Sequence, residues 1–444
     1  MSKPFHSLRV KTMNYLLFAF SLCLSILAAE LVIHHLENRN APVSPRLFYE
    51  YDPLLGWSKI PNEEGLYIRP EYEVHEKINS KGLRGPEIPY EKPDGEFRIL
   101  FLGDSFTEGY AVSDKDHFIT KVQSSINSCD APTRFLAINA GTGAYGIDQE
   151  LLFWENEGIK YSPDLVVLMF YHNDVWESSE DKHGDALRWG KPRFELHNGV
   201  LTLTNVPVPR YTLKRADSNH ARSENLTLKQ WLNRNSRIYS FLRSRLKRIS
   251  WLNSAAIALG LAQKPCKKAG RPGYLPLPKR LWIFQSNRPR EADEAWMLIE
   301  ALLERLQKGV KMSGSDLLVF YIPYKAAIYT DELEAARGIY DFGDTELDLD
   351  RPGRDLRRIC EKLSISYIDS TDAFRARAAA LKEKNERLYY VRDGHWNAQG
   401  NDLAADILTA CIKRVAISPQ AGVSGAALQS EQQMENPMPY HQVK

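Results

Sequence analysis

A serine that could act as a nucleophile follows a short apolar run in this chain. The run Arg98–Leu102 leads directly into Gly103-Asp104-Ser105, where the glycine permits a tight turn. A serine at the end of a strand, followed by a helix, can expose its hydroxyl while backbone N–H groups stabilise negative charge nearby. The tripeptide alone is a weak signal, because Asp104 or Ser105 could simply cap a helix.

A histidine near the end of the chain could serve as the base for this serine. Arg392-Asp393-Gly394-His395 precedes Asn397, which is predicted to cap a helix over residues 398–415. A neutral imidazole can take the serine proton and return it to a leaving group, while a carboxylate on the other ring nitrogen fixes the tautomer. The sequence therefore predicts His395 as general base and Asp393 as its partner.

Two further turns offer hydrogen-bond donors. The small-residue turn over residues 139–146 would let backbone approach a substrate, and Asn173 follows another apolar run with its side-chain amide. Read alone, Asn173 could equally be an Asx-turn residue. Together the two turns predict an oxyanion hole beside Ser105.

These residues need a scaffold that brings them to one edge, and the apolar pattern predicts one. Five short runs are rich in Leu, Ile, Val or Phe and do not alternate between polar and apolar residues, as expected for strands buried on both faces; they are Arg98–Leu102, Phe135–Ile138, Leu165–Phe170, Leu317–Ile322 and Ile365–Ile368. Helical spacing appears between them, for instance over residues 148–158 and 291–306. We therefore expect an α/β/α three-layer sandwich with a parallel sheet of about five strands, whose carboxyl ends carry the site.

The four blocks resemble those of the SGNH hydrolases, the superfamily of GDSL-type esterases and acyltransferases, and the resemblance covers roughly residues 97–415. It implies a flavodoxin-like fold and Ser105, Asp393 and His395 as catalytic residues. It also implies an oxyanion hole formed by the N–H of Ser105, the N–H of Gly143 or Ala144 and the side chain of Asn173. No metal and no cofactor is implied.

This sequence departs from the family pattern at three points. Ala144 stands where the family's glycine is expected, and Tyr171 replaces a glycine that usually precedes the asparagine block. The acid and the base are separated by the single residue Gly394, where the commoner pattern has two. Asp393 is accordingly the member of the triad that the sequence defines least.

The remaining segments define the predicted domain organisation. Residues 1–36 form a cytoplasmic stub and an N-terminal transmembrane anchor, and residues 37–96 form a lead-in that packs on the main domain. The hydrolase domain covers residues 97–416, with a basic, partly helical insertion at about 176–290. The tail, residues 417–444, has the composition of a disordered segment.

The anchor prediction rests on basic Lys3, Arg9 and Lys11 before the apolar run 15–29. A cleaved signal peptide and a buried core helix are the alternatives. An anchor would make the protein single-pass, with its catalytic domain on the extracytoplasmic, periplasmic side. Cysteines there could form one disulfide, although free buried thiols fit their wide spacing better.

Composition excludes several function classes. With 43% hydrophobic and 26% charged residues the chain is globular, and its net charge of +2 gives no field that would favour nucleic acid. The basic insertion is either a solvated surface or a site for an anionic glycan or lipid headgroup.

We therefore expect an extracytoplasmic serine ester hydrolase whose partners are an acylated carbohydrate or another small ester and the membrane. The expected targets are O-acetyl groups of a cell-envelope polysaccharide. An O-acyltransferase using the same serine and histidine, and a catalytically silent glycan-binding scaffold, remain as alternatives.

Overall fold

The computed structural model describes residues 48–69, 71–128, 133–180, 190–210, 274–342 and 346–417, together with six isolated positions between 14 and 28. Three predicted segments lie outside the described residues: the anchor apart from those six positions, the strongly basic part of the insertion, and the C-terminal tail after its first residue, Ile417. Among the described residues, no helix is both long and apolar enough to cross a bilayer. The elements below belong to one compact unit, Val43–Leu213 with Ala269–Lys444.

Five parallel strands form the central sheet. They are β5 (Glu96–Gly103), β6 (Arg134–Asn139), β7 (Leu165–Phe170), β11 (Asp316–Tyr321) and β13 (Ser366–Asp369). Their spatial order is β6-β5-β7-β11-β13, so the order reverses beside β5. In such sheets ligands bind beyond the carboxyl ends of the strands at the reversal point.

The strands are buried on both faces because helices cover both sides of the sheet. On β5, Leu100 and Leu102 point into one apolar layer, and Ile99 and Phe101 point into the other. The first layer packs on helices α3 (Ile147–Asn156), α5 (Arg290–Met312) and α8 (Arg351–Leu363). The second packs on α2 (Phe118–Asn127), α9 (Thr371–Leu381) and α10 (Ala398–Ile417).

This arrangement confirms the predicted α/β/α sandwich with five parallel strands. Strand β7 has the predicted bounds, and the other four differ from prediction by one or two residues at their ends. Asn397 caps α10 as predicted, because its side-chain oxygen accepts from the N–H groups of Gln399 and Gly400 at 3.0 and 3.2 Å. The described cysteines, Cys360 and Cys411, are free and buried, in agreement with the thiol interpretation.

Antiparallel hairpins accompany the sheet. Strands β1 (Tyr49–Asp52) and β2 (Gly56–Lys59) form one, and β3 (Glu64–Arg69) and β4 (Tyr72–Lys77) form a second. A third, β8 (Arg193–His197) with β9 (Val200–Thr204), lies in the described part of the insertion. Burial alternates along β4 with a period of two, so this strand of the lead-in has one buried and one exposed face.

Shorter elements complete the unit. They are α1 (Ser105–Glu108), α4 (Asp174–Glu177), β10 (Leu275–Pro276), α6 (Lys325–Ile328), α7 (Thr330–Arg337) and β12 (Tyr340–Asp341). Helices α1 and α4 begin within four residues of the carboxyl ends of the neighbouring strands β5 and β7. Their first residues therefore lie at the edge where the site was predicted.

Candidate active site

Ser105 begins α1 immediately after the turn that ends β5. Gly103 has φ +153°, and a Cβ there would lie 2.0 Å from the hydroxyl oxygen of Thr107. Asp104 caps the helix by accepting from the N–H of Phe106 at 2.9 Å. The turn is thus possible only because residue 103 lacks a side chain, and it leaves Ser105 partly exposed.

Ser105, His395 and Asp393 lie together as the sequence analysis expected. The hydroxyl of Ser105 is 2.7 Å from Nε2 of His395, and Nδ1 of His395 contacts Oδ1 of Asp393 in a short hydrogen bond. The backbone N–H of His395 donates to the same Oδ1 at 3.0 Å. With the proton on Nδ1, the lone pair on Nε2 faces the serine hydroxyl, which is the arrangement a general base needs.

The carboxylate of Asp393 is held in its charged form. Burial raises its pKa, but the hydrogen bonds and charge of His395, assisted by the hydroxyl of Tyr72, outweigh burial and lower the pKa to about 2. Its side chain is 23% exposed and that of His395 is 19% exposed. The pair therefore has limited contact with water, and Asp393 can stabilise an imidazolium throughout the neutral pH range.

Aromatic rings fix the imidazole plane. Phe106 and Tyr110 place their ring centroids 4.8 and 5.0 Å from that of His395. The hydroxyl of Tyr110 also lies 3.3 Å from Nε2. Burial raises the pKa of Tyr110 well above its usual value, so this phenol stays a hydrogen-bond donor.

The turn after β6 carries the predicted backbone donors, and the two candidates differ. The N–H of Gly143 donates to Glu108 at 2.6 Å, so it is already engaged, because Glu108 of α1 reaches across to this turn. The N–H of Ala144 has no acceptor among the described residues. Ala144 adopts φ +65°, a left-handed conformation that glycine takes without strain, which accounts for the family's glycine at this position. Of the two, Ala144 is the free donor.

Asn173 lies next to the serine turn. Its amide nitrogen donates to Asp104 at 3.2 Å, which uses one of its two N–H bonds and leaves the other. Burial raises the pKa of Asp104 to about 6, against the hydrogen bond from Phe106, the charge of His395 and the hydrogen bond from Asn173. Ser105, Ala144 and Asn173 thus each have an N–H group at this edge with no acceptor among the described residues.

The lead-in supplies groups that the sequence analysis did not identify. The buried ammonium of Lys59 donates to the carbonyl of Gly141 and to the hydroxyl of Thr142, at 2.9 Å for the latter, and Tyr49 donates to Glu108. These contacts fix the turn that presents Ala144. Lys59 ends the four-residue strand Gly56–Lys59, and its sequence alone does not distinguish it from a surface lysine.

A family model described as "SGNH hydrolase-like domain, acetyltransferase AlgX" matches residues 277–439. This range contains Asp393 and His395, whereas Ser105 and Asn173 lie before it. With the five-stranded sheet, the match confirms the predicted resemblance to the SGNH hydrolases. No curated protein matches the sequence.

Solved structures with a similar chain path include three esterases or hydrolases. An acetyl xylan esterase, AlAXEase, is 15% identical and covers 71% of this chain and all of its own, with a TM-score of 0.37. Axe2, an acetylxylan esterase from Geobacillus stearothermophilus, is 14% identical over 72% of this chain and 93% of its own, with a TM-score of 0.34. LAE5, an alpha/beta hydrolase enzyme from the metagenome of Lake Arreo in Spain, is 13% identical over 73% and 98%, with a TM-score of 0.35.

Proposed function

We propose that this chain, residues 277–439 of which match an SGNH hydrolase-like family model, is a serine ester hydrolase that acts on O-acetyl groups through an acetyl-Ser105 intermediate. The observation that carries the proposal is the 2.7 Å contact between the Ser105 hydroxyl and Nε2 of His395, backed by Asp393 on the opposite nitrogen. A serine hydroxyl is a weak nucleophile unless an adjacent base takes its proton, and this geometry provides that base.

The proposed reaction has an acylation step and a deacylation step. His395 removes the proton as the oxygen of Ser105 attacks the ester carbonyl, and the negative charge that develops on the carbonyl oxygen is met by N–H donors of Ser105, Ala144 and Asn173. The imidazolium then protonates the leaving alkoxide, and the acetyl group remains on Ser105. A water molecule activated by His395 releases acetate and restores the hydroxyl.

For the substrate and the location we propose acetylated cell-envelope polysaccharide on the extracytoplasmic side of the membrane. The support is the basic flank and apolar run at the N-terminus, together with the basic composition of the insertion. Both segments lie largely or wholly outside the described residues, so this part of the proposal depends on the sequence.

The second candidate is an O-acetyltransferase, and the family model favours it because its description names an acetyltransferase. The two activities share every step up to acetyl-Ser105 and differ only in the acceptor, which is water in one and a sugar hydroxyl in the other. A transferase would need access for a sugar hydroxyl to the acetylated serine.

The test is turnover of p-nitrophenyl acetate by the full chain beside Ser105→Ala and His395→Ala. We expect kcat/KM to fall at least about a thousandfold in each variant, as it does when either member of a catalytic serine–histidine pair is removed. The matched controls are Ser124→Ala, at an exposed helical serine, and His197→Ala, whose side chain is 73% exposed; both should keep full activity. Equal activity in all five proteins would contradict the proposal.

The acceptor is decided by adding unacetylated polysaccharide to the same reaction. Acetate release that does not change with the polymer supports the hydrolase, whereas acetyl groups appearing on the polymer in a Ser105-dependent manner support the transferase. A folded wild-type protein that neither turns over nor is labelled at Ser105 by a fluorophosphonate would favour the silent scaffold.

A further inference from the structure

The second hairpin of the lead-in reaches the loop that carries Asp393 and His395. Tyr72, the first residue of β4, donates its hydroxyl to Oδ2 of Asp393 at 2.9 Å. Glu71, in the turn just before it, accepts three backbone N–H groups of the loop: Val391 at 2.8 Å on Oε1, and Arg392 at 2.8 Å and Asp393 at 2.9 Å on Oε2. Two adjacent residues thus contact both the acid and its backbone.

The carboxylate of Asp393 is consequently held from two sides. Its Oδ1 accepts from Nδ1 and from the N–H of His395, and its Oδ2 accepts only from Tyr72 among the described residues. Without the phenol, the carboxylate would be restrained at one oxygen only. The carboxylate could then rotate about its Cβ–Cγ bond and lose the position from which it orients the imidazole.

The loop itself has few other restraints. Val391 is 61% exposed, and a Cβ built on Gly394 would meet nothing within 4 Å. Apart from Glu71 and Tyr72, its described backbone contacts include a hydrogen bond of Lys325 to the carbonyl of Val391, at 2.8 Å, and one from the N–H of Tyr390 to the carbonyl of His395, at 3.0 Å. Neither of these two bonds involves the N–H groups of residues 391–393, all three of which donate to Glu71.

Packing holds the ring of Tyr72 in place, and its surroundings keep its hydroxyl protonated. It is 9% exposed, stacks on Tyr67 with ring centroids 6.0 Å apart and lies 4.9 Å from the ring of Tyr390. Burial, and next the charge of Asp393, raise its pKa above the usual value. Its hydroxyl therefore stays protonated and donates to Asp393 across the neutral pH range.

We propose that Tyr72 and Glu71 are positioning residues of the catalytic site, so that the lead-in hairpin β3–β4 completes the serine–histidine–aspartate apparatus. The inference rests on the proposed function and extends it. Tyr72 fixes the carboxylate of Asp393 and shares its negative charge, and Glu71 fixes the backbone of the loop. Neither residue touches the substrate.

Two conservative variants of the full chain test this. Tyr72→Phe removes one oxygen and keeps the ring, and we expect kcat for p-nitrophenyl acetate to fall about tenfold with KM unchanged. Glu71→Gln keeps one carbonyl oxygen where the carboxylate uses two acceptors, so at least one loop N–H loses its partner, and we expect a similar fall in kcat. The matched controls are Tyr67→Phe, whose hydroxyl accepts from Arg69, and Glu73→Gln, at an exposed position of β4; both should retain wild-type kcat.

The pH profile separates positioning from a loss of packing. Without the phenol, the negative charge of Asp393 is no longer shared with a second donor and attracts the imidazolium more strongly, so the acidic limb of kcat/KM should move to higher pH in Tyr72→Phe. Glu71→Gln removes a negative charge from the loop, so its limb should move to lower pH. Shifts of opposite sign in adjacent residues are not expected from general loosening of the fold.

Hydrogen exchange reports on the loop without any turnover. We expect the amides of residues 391–393 to exchange at least about tenfold faster in Glu71→Gln than in wild type or in Glu73→Gln. If the wild type turns over substrate while both variants keep wild-type kcat, pH limb and amide exchange, the positioning role is wrong and the proposed function stands. If the wild type is inactive and unlabelled at Ser105, the proposed function fails, and the positioning role in catalysis fails with it even where the exchange result holds.

Discussion

Replacing Asp393 by asparagine should lower kcat less than the same substitution does in an enzyme where it reverses the tautomer of the catalytic histidine. Both oxygens of Asp393 have donors facing them: the N–H and Nδ1–H of His395 face Oδ1, and the hydroxyl of Tyr72 faces Oδ2. In Asp393→Asn the carbonyl oxygen can keep the two donors from His395, while the amide nitrogen can donate to the phenol oxygen. The structure therefore predicts that the tautomer with the proton on Nδ1 survives and that only the charge is lost.

The size of the loss follows from that charge. The net lowering of the Asp393 pKa from 3.8 to about 2, which burial opposes and the contacts with His395 produce, measures how strongly the pair favours the ionised acid. At ~1.4 kcal/mol per pKa unit this is on the order of 2 to 3 kcal/mol. If all of it is lost in the transition state, kcat falls roughly 30- to 150-fold.

The assay is kcat for p-nitrophenyl acetate across pH in Asp393→Asn, with Asp372→Asn, at a 98% exposed carboxylate, as the control. We expect a fall between about 30-fold and a few hundredfold, with the acidic limb of the profile moved to lower pH. A fall near 10⁴-fold, the value associated with a reversed tautomer, would refute the argument that the N–H of His395 holds the asparagine oxygen in place. A fall of less than threefold would remove Asp393 from the catalytic apparatus.

Three further predictions concern the scaffold of the site. In Gly103→Ala the new methyl would lie 2.0 Å from the Thr107 hydroxyl oxygen, so we expect about 2 to 4 kcal/mol of destabilisation in urea unfolding and loss of esterase activity. Adding Thr107→Ala should restore part of the stability. The recovery should be incomplete because the Cβ of residue 107 remains 2.9 Å from the new methyl. Lys191 and Asp148 form an ion pair with both side chains fully buried. Lys191→Met leaves the carboxylate without its partner, so it should lower the unfolding free energy by about 3 to 5 kcal/mol, and adding Asp148→Asn should recover much of that loss. An unchanged unfolding midpoint in Lys191→Met would contradict the buried pairing. Burial lowers the pKa of His172 to about 3, so below pH 6.5 the unfolded chain binds a proton that the folded chain does not, and acid lowers the free energy of unfolding. In His172→Phe this loss should disappear, so the variant should gain about 2 kcal/mol in unfolding free energy relative to wild type between pH 7 and pH 5, measured by thermal or urea unfolding. A stability difference between the two proteins that does not change with pH would disprove the prediction.

The sheet and its helices were predictable because burial on both faces leaves a mark in the sequence. Continuous apolar runs such as Leu165–Phe170 could hardly be anything but buried strands, and the helix after Asn397 begins with a capping side chain. The hairpins of the lead-in were missed because strands of four to six residues give few repeats of a two-residue period. In β4 a tyrosine and a valine alternating with charged residues was the only sign.

The sequence by itself determined the residue types, the strand ends that Ser105 and Asn173 follow and the helix start that His395 precedes. Ser105 and Asn173 meet because parallel strands bring their carboxyl ends to one edge wherever they fall in the chain. Only the tertiary structure decided that Ala144 rather than Gly143 has its N–H free, since the competing acceptor, Glu108, belongs to another element. The same holds for Tyr72, which is separated from Asp393 by 321 positions and reaches it through a hydrogen bond. Contacts of this kind depend on the relative placement of elements that local sequence patterns do not encode, because a hydrogen bond between distant residues leaves no periodicity in either segment.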